Sequence, residues 1–180
     1  MFTFPAAKYM GKLILSQIGI PDSQPDLNQK SHFMIDSHTV RTHLPNRPVD
    51  GHKGTFGKVF IVAGCRNYIG ATALSGESAY RSGAGLVTVA TTTPIIQIIA
   101  SQLREPTFVH LPDMEGAIAE SATSHVIQQS NGYSAMLVGC GLGQHASTKA
   151  FVKTLFQHQD LPPLIVDADA LNILSQLDKW

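Results

Sequence analysis

The stretch that decides the fold is HKGTFGKVFIVAGCRNYIGATALSGESAYRSGAGLVTVAT, from His52 to Thr91. It begins with a short apolar run rich in β-branched residues, Lys58–Ala63, which is typical of a strand buried on both faces of a parallel sheet. Gly64–Gly70 has the glycine and asparagine content of a turn, and the small side chains of residues 70–82 then recur at helical spacing. Leu86–Ala90 is the returning strand. The stretch therefore predicts a right-handed βαβ unit.

The rest of the chain continues this alternation of strand and helix. Further strands are predicted near residues 107–110, 135–139 and 164–166, and helices over residues 94–103, 115–129 and 147–158. Together with residues 58–63 and 86–90, these strands predict an α/β fold in which helices cover a mostly parallel sheet of about five strands.

The N-terminal part of the chain has a different pattern. Met1–Pro21 contains β-prone segments and predicts either a pair of edge strands or a disordered start. Asp22–Asp50 is polar and proline-containing, which indicates a linker with one short helix near residues 37–42. Four histidines in or next to this stretch, His32, His38, His43 and His52, are irregularly spaced and have no cysteine beside them, so they favour solvated or capping side chains over a zinc site.

Composition restricts the function classes. The chain has 13 basic and 13 acidic residues among its 180, and these charges cancel. The charge balance therefore gives no indication of a nucleic-acid or membrane-surface partner. No apolar stretch has the roughly 20 residues of a spanning helix. The two cysteines are too few and too far apart for a disulfide scaffold, which makes the cytoplasm the expected location.

Three strand ends are the candidate site: residues 65–71, 139–143 and 167–172. Glycines in the first two let backbone N–H groups approach a ligand closely, although they are also what tight βα turns require. Asp167 and Asp169, two apart at a strand end, would project both carboxylates to one side of an extended segment. Such a pair suits Mg²⁺ or a hydroxylated ligand, while the alternative is helix capping by Asp169.

Several of these segments resemble one family. HKGTFGKVFIVAG, NYIGA and RSGAGLVTVAT are similar to the opening of the ADP-dependent NAD(P)H-hydrate dehydratases, LVGCGLGQ (137–144) to their VGPGLG turn, and PLIVDADALN (163–172) to their DADALN strand end. The resemblance covers roughly Arg47 to the C-terminus and implies a ribokinase-like, layered αβα fold. FTFPAAKYMGKLILSQIGIP resembles the last strands of the NAD(P)H-hydrate epimerase domain that many relatives carry ahead of the dehydratase.

The resemblance implies a site and an activity. The substrate would be NAD(P)H hydrate, a small-molecule dinucleotide, with ADP or ATP as phosphoryl donor, Mg²⁺ as metal and a homo-oligomer as the intact protein. The residues expected to bind substrate are Asn67, Tyr68, Gly70, Ala71, Gly139, Gly141, Gly143, Asp167, Asp169 and Asn172, with Asp167 and Asp169 also proposed for the metal. Cys65 and Cys140 replace the family's usual serine and proline, and are expected to behave as small hydrophobes more often than as a redox pair.

The resemblance also sets the expected boundaries. Residues 1–21 would be a remnant of an epimerase domain, 22–50 a linker and 51–180 the N-terminal part of the dehydratase domain. The family's later motifs have no match in these residues, so its catalytic aspartate is expected to lie beyond Trp180 and the catalytic residue is unknown. The C-terminal half of the fold is accordingly expected to be missing, and residues 1–180 alone to be inactive and prone to associate.

Two alternative functions remain open at this point. One is a ribokinase-like kinase of a vitamin precursor, which would share the fold but transfer a phosphoryl group to its acceptor. The other is a non-catalytic nucleotide-binding protein.

Overall fold

The structure is a computed structural model that describes residues 5–12, 14, 16, 18, 19 and 35–177. The chain divides into two compact units, residues 1–46 and 47–180. Whether the functional domains begin and end where the sequence predicts is not tested by this division, and those boundaries stay predictions. Trp180 lies outside the described residues, so the expectation that the catalytic aspartate follows it also stays a prediction.

The first unit contains two short helices. A 3₁₀ helix spans Ala6–Tyr9, and Pro5 is its N-cap with φ of −84° and ψ of −9°, so these residues form no strand. The β-prone segments on either side, residues 2–4 and 13–15, include residues outside the described ones, and edge strands there stay a prediction. Helix α1 spans Ser37–His43, as expected, and begins where the Asp36 carboxylate accepts a 2.8 Å hydrogen bond from the Thr39 amide.

The second unit is built on a parallel sheet. Its strands are β1 (Lys58–Val62), β2 (Leu86–Thr92), β3 (Thr107–Leu111), β6 (Ala135–Val138) and β7 (Leu164–Val166), and the intervening β4 (Asp113–Met114) and β5 (Ala117–Ile118) form a separate hairpin. The strand order is β3-β2-β1-β6-β7, and every pair in this sheet is parallel. The predicted α/β sheet and the parallel return of β2 beside β1 are confirmed.

Helices cover both faces of the sheet. They are α2 (Ile69–Arg81), α3 (Thr93–Ile99), α4 (Ala122–Ser130), α5 (Ala146–Leu155) and α6 (Ala168–Leu174). Successive side chains of a strand point to opposite faces. Phe60 accordingly packs in one core cluster with residues of α4, α5 and α6, and Ile61 packs in the other with residues of α2 and α3. The result is three layers, helix, sheet and helix. No helix among the described residues is long and apolar enough to cross a membrane.

The helix predicted over residues 115–129 is wrong in its first half. Residues 113–118 form the β4–β5 hairpin instead, with Met114 opposite Ala117. Its two-residue loop has φ of 54° at Glu115 and 80° at Gly116, the positive values that a tight hairpin turn of this length requires. The Asp113 carboxylate accepts a 3.0 Å hydrogen bond from the Gly116 amide and stabilises the turn. Helix α4 begins only at Ala122.

Candidate functional site

The turn after β1 and the turn after β6 are joined by their backbones. Gly64, with φ of 85°, donates its amide proton to the Cys140 carbonyl at 2.9 Å. A Cβ at position 64 would collide with the Thr72 hydroxyl of α2, so only glycine lets the strand end lie this close to the helix. This bond fixes the relative positions of the two turns.

The second turn packs against α2 and β7 through its glycines. A Cβ at position 141 would lie 2.7 Å from the Ala71 Cβ and 2.9 Å from the Tyr68 Cβ. A Cβ at Gly139 would collide with the Asp167 carbonyl. Gly141 has φ of 66° and Gly139 has φ of 137°. The structure therefore brings the three predicted strand ends together.

Asp169 holds the second turn to the start of α6. One carboxylate oxygen accepts the Gly143 amide proton at 2.8 Å, and the other accepts a bond from Gln144 Nε2 at 3.1 Å. The alternative that Asp169 caps a helix is wrong, because α6 begins at Ala168 and its N-cap is Asp167, whose side chain makes no capping bond.

Asp167 points to a different neighbour. The Cys140 thiol donates to the Asp167 carboxylate, with 3.4 Å between Sγ and Oδ2. Burial raises the pKa of the Cys140 thiol, a hydrogen bond with Ser75 lowers it, and the hydrogen bond and negative charge of Asp167 raise it, so that the pKa stands above its ordinary value. Cys140 is thus held as a neutral thiol. Both cysteines are free, so no disulfide joins them.

The expected extended geometry of the two carboxylates is also wrong. Ala168 between them has φ of 45°, and Asp169 already lies in α6, so the alternation of a strand does not apply. The two aspartates have separate hydrogen-bond partners. Among the described residues no group of three or more His, Cys, Asp or Glu side chains is placed to hold a metal ion. Magnesium binding by Asp167 and Asp169 stays a prediction.

The turns and the β4–β5 hairpin line a half-open cavity of about 290 Å³, which we call the turn cavity. Four of the predicted substrate-binding residues line it: Asn67, Tyr68, Gly143 and Asp169. The other six, which are Gly70, Ala71, Gly139, Gly141, Asp167 and Asn172, are not part of its lining. Ala71, Gly139 and Gly141 form the packed contacts behind the turns, and Asn172 is exposed on α6. Direct contact of any of these residues with substrate stays a prediction.

Arg66 lies inside the predicted range 65–71 but was not singled out as a binding residue, and the sequence reasoning missed several other lining residues: Glu115, Gly116, Gln144 and His145. Gln144 and His145 directly follow the predicted Gly143, so widening that motif by two positions would have found them. Glu115 and Gly116 were hidden by the incorrect helix. His145 begins α5 by accepting a bond from the Ser147 amide at 3.3 Å, and its Nε2 lies 3.4 Å from the Glu115 carboxylate. This contact ties the hairpin to the second turn.

Comparison with known proteins identifies relatives along most of the chain. The profile of the NAD(P)H-hydrate dehydratase family matches residues 59–179. The bifunctional NAD(P)H-hydrate repair enzyme Nnr of Moorella thermoacetica is 32% identical over 172 residues, which is 95% of this chain and 32% of that enzyme.

Two solved structures agree with the fold. A ribokinase-like superfamily protein from Enterococcus faecalis matches with a TM-score of 0.62 and 30% identity, over 74% of this chain and 44% of that one. The ADP/ATP-dependent NAD(P)H-hydrate dehydratase from Bacillus subtilis, co-crystallized with ATP/Mg²⁺, matches with a TM-score of 0.58 and 31% identity, over 74% of this chain and 45% of that one. The expected ribokinase-like fold is confirmed, and the chain spans about a third of the Moorella enzyme and less than half of either solved chain.

Proposed function

The chain belongs to the NAD(P)H-hydrate dehydratase family, and from this premise we propose that it serves the repair of hydrated nicotinamide nucleotides. The substrate is NADH or NADPH whose reduced ring has added water, and the product is the restored dinucleotide. ADP or ATP supplies the phosphoryl group. A cytoplasmic location and a homo-oligomeric assembly stay predictions of the sequence.

The reaction needs a phosphoryl donor because hydroxide is a poor leaving group. Bulk water has a pKa of about 15.7, whereas the second pKa of a phosphate monoester is about 6. The ring hydroxyl takes the terminal phosphoryl group of ADP, which leaves AMP. Loss of phosphate from the ring carbon and of a proton from its neighbour then forms the double bond. The balance is hydrated NADH and ADP in, and NADH, AMP and phosphate out.

Polar residues of the turn cavity suit the hydrated ring. Asn67, Gln144 and His145 can exchange hydrogen bonds with a carboxamide and a hydroxyl, and the turn cavity excludes bulk water from part of that surface. Ala71, Gly141 and Gly143 set the shape of the turn behind them. Asp169 keeps the Gly143 amide in place, so its part in binding is to position the turn.

Mg²⁺ would accompany the nucleotide phosphates and neutralise charge on the transferring group. Asp167 is the carboxylate that would hold it, because Asp169 already accepts two hydrogen bonds. A single carboxylate is compatible with the way Mg²⁺ binds, since it keeps several waters and takes substrate phosphates as further ligands.

One observation supports the proposal above the others: the family match over residues 59–179 includes all three strand ends that meet around the turn cavity. The test is binding of hydrated NADH to the chain and to two variants. Asn67→Trp places a large ring in the turn cavity and should weaken binding at least about tenfold. Asn131→Trp changes an exposed asparagine after α4 and is the control. Equal affinity of Asn67→Trp and the control would reject the turn cavity as the substrate site.

Product analysis separates the alternatives. A repair dehydratase converts hydrated NADH to NADH and releases AMP and phosphate from ADP. A kinase of a vitamin precursor would leave a stable phosphate ester on its acceptor, and a non-catalytic binding protein would change no nucleotide. A stable phosphorylated product with no gain in reduced nicotinamide absorbance would contradict the dehydratase proposal.

A further inference from the structure

A second cavity lies beside the turn cavity and shares a wall with it. This side cavity has a volume of about 480 Å³ and is lined by Ile69, Thr92, Pro94, Ile95, Ile98 and Asp113 together with the shared wall. Arg66, Glu115 and Gly116 line both cavities. The turn of the β4–β5 hairpin and one arginine therefore separate the two spaces.

Arg66 is held in this wall by its backbone and its aliphatic part. Its amide donates to the Gly116 carbonyl at 2.8 Å. A Cβ at position 116 would lie 2.7 Å from Arg66 Cδ and 2.8 Å from Arg66 Cβ, so the side chain runs along the bare glycine. Within the described part of the chain, the guanidinium forms no ion pair, whereas Arg81 pairs with Glu77 and His145 with Glu115. Its charge is thus available to an anion that lies between the two cavities.

The linings of the two cavities differ in chemistry. The turn cavity presents the amides of Asn67 and Gln144 and the imidazole of His145 among apolar residues such as Leu142. The side cavity presents Ile69, Ile95 and Ile98 with Pro94, an apolar surface that suits a planar base. Thr92 also lines it, is 1% exposed, and has a hydroxyl without a hydrogen-bond partner among the described residues. Such an unpaired buried hydroxyl is stabilised when a ligand supplies the missing bond.

We infer that the dinucleotide straddles the hairpin turn, with its hydrated nicotinamide half in the turn cavity, its adenosine half in the side cavity and its pyrophosphate on Arg66. This inference rests on the proposed function and assigns a site to the second half of the same substrate. A dinucleotide has two ring systems joined by a dianion, which matches two cavities joined by the cation of Arg66. A guanidinium binds phosphate oxygens through paired N–H donors.

The acidic side chains of the side cavity determine which dinucleotide fits. Asp113 and Glu115 both line it, and the carboxylate oxygens that Gly116 and His145 do not engage can accept hydrogen bonds from a ribose 2′-hydroxyl. The same carboxylates repel the 2′-phosphate of NADPH, and Arg66, the single cation that the described lining contains, is engaged by the pyrophosphate. The adenosine half of NADH therefore fits this cavity better than that of NADPH.

The test compares NADH with reduced nicotinamide mononucleotide, a probe that lacks the adenosine half. Ile98 is 45% exposed, so Ile98→Trp should fold while its indole fills the side cavity. It should weaken NADH binding at least about tenfold and leave the mononucleotide within about twofold. Leu74→Trp, at a residue of α2 that is 65% exposed and lines neither cavity, is the control and should change neither affinity.

Arg66→Gln adds an independent measurement. It removes the charge but keeps the aliphatic part along Gly116, and it should weaken NADH about tenfold, as expected for one charge-assisted hydrogen bond. Arg104→Gln, at an exposed arginine outside both cavities, is the control. The wild-type chain should bind NADH more tightly than NADPH, and Asp113→Asn should narrow that difference.

The outcomes separate this inference from the proposed function. If the wild-type chain binds neither NADH nor the mononucleotide, both are overturned. If the mononucleotide binds and Asn67→Trp abolishes its binding, but Ile98→Trp leaves NADH affinity unchanged, only the side-cavity assignment is overturned. Loss of mononucleotide binding in Ile98→Trp would place the nicotinamide half in the side cavity. That result would reject the inference that the adenosine half lies there.

Discussion

Gly141 is the residue whose replacement tests the geometry of the site most directly. Its φ of 66° costs an alanine about 1–2 kcal/mol in the left-handed region. The added methyl would lie 2.7 Å from the Ala71 Cβ and 3.0 Å from the Tyr68 carbonyl, and overpacking of this kind costs about 1–3 kcal/mol. Gly141→Ala should therefore lower the free energy of unfolding by about 3 kcal/mol, within a range of about 2–5.

The assay is thermal unfolding followed by circular dichroism. For a domain of this size each kcal/mol shifts the melting temperature by about 2–4 °C, so Gly141→Ala should melt about 6–12 °C below wild type. Gly70→Ala is the matched control: Gly70 lies in α2 with no atom within 4 Å of an added Cβ. Alanine there should raise stability by about 0.5–1 kcal/mol, because it lowers the backbone entropy of the unfolded chain.

A double-mutant cycle identifies the contact. Ala71→Gly removes the methyl nearest to position 141, so the double variant should recover about 1 kcal/mol relative to the sum of the single changes. Additive effects would mean that Ala71 and residue 141 do not touch. A loss of less than about 1 kcal/mol in Gly141→Ala would refute the whole argument, since the left-handed backbone alone accounts for that much.

Three further predictions follow from the same turns. In a Cys65→Ala background, Asp167→Asn should speed alkylation of Cys140 at fixed pH, because Asp167 is one cause of the raised pKa of that thiol; an unchanged rate would contradict the contact between them. Because of the raised pKa, the Cys140 thiol loses its proton at a higher pH in the folded state than in the unfolded state. The contribution of this group to the free energy of unfolding should therefore fall as pH rises through and above the ordinary thiol pKa of 9.0. Urea titrations should show that Cys140→Ala flattens this dependence on pH. Asp169→Ala should lower the free energy of unfolding by about 1.5–3 kcal/mol through loss of the charged bond to the Gly143 amide, whereas Asp167→Ala, at an exposed carboxylate, should cost less than half as much; equal losses would argue against the turn-holding role of Asp169.

The sheet could be predicted because its information is local. A strand buried on both faces needs a continuous apolar run, and Lys58–Val62 has one in which Phe60, Ile61 and Val62 are fully buried. The glycines that end these strands are also local signals, because Gly64 and Gly139 lie where backbones approach too closely for a side chain. The three strand ends could therefore be placed at one edge of the sheet from the sequence alone.

The side chains at that edge depend on backbone angles that spacing does not encode. Two aspartates two residues apart share a side only in an extended chain, and Ala168 at φ of 45° turns one toward Cys140 and the other toward Gly143. The different roles of Asp167 and Asp169 follow from the hydrogen bonds that each carboxylate makes in the folded chain.

The hairpin shows why the far wall of the site could not be predicted. Glu115 is an unusual first residue for a tight two-residue loop, because asparagine, aspartate and glycine tolerate its positive φ better. Glutamate, alanine and isoleucine among residues 115–118 also suit a helix, although Gly116 disfavours one. Gly116 at φ of 80°, with its amide bonded to the Asp113 carboxylate, favours the turn. Because Glu115 and Gly116 separate the turn cavity from the side cavity, the incorrect assignment of residues 115–121 to a helix removes one wall from both. A site that is lined by a short hairpin can thus be predicted from sequence only when turn-forming residues are considered together with helical periodicity.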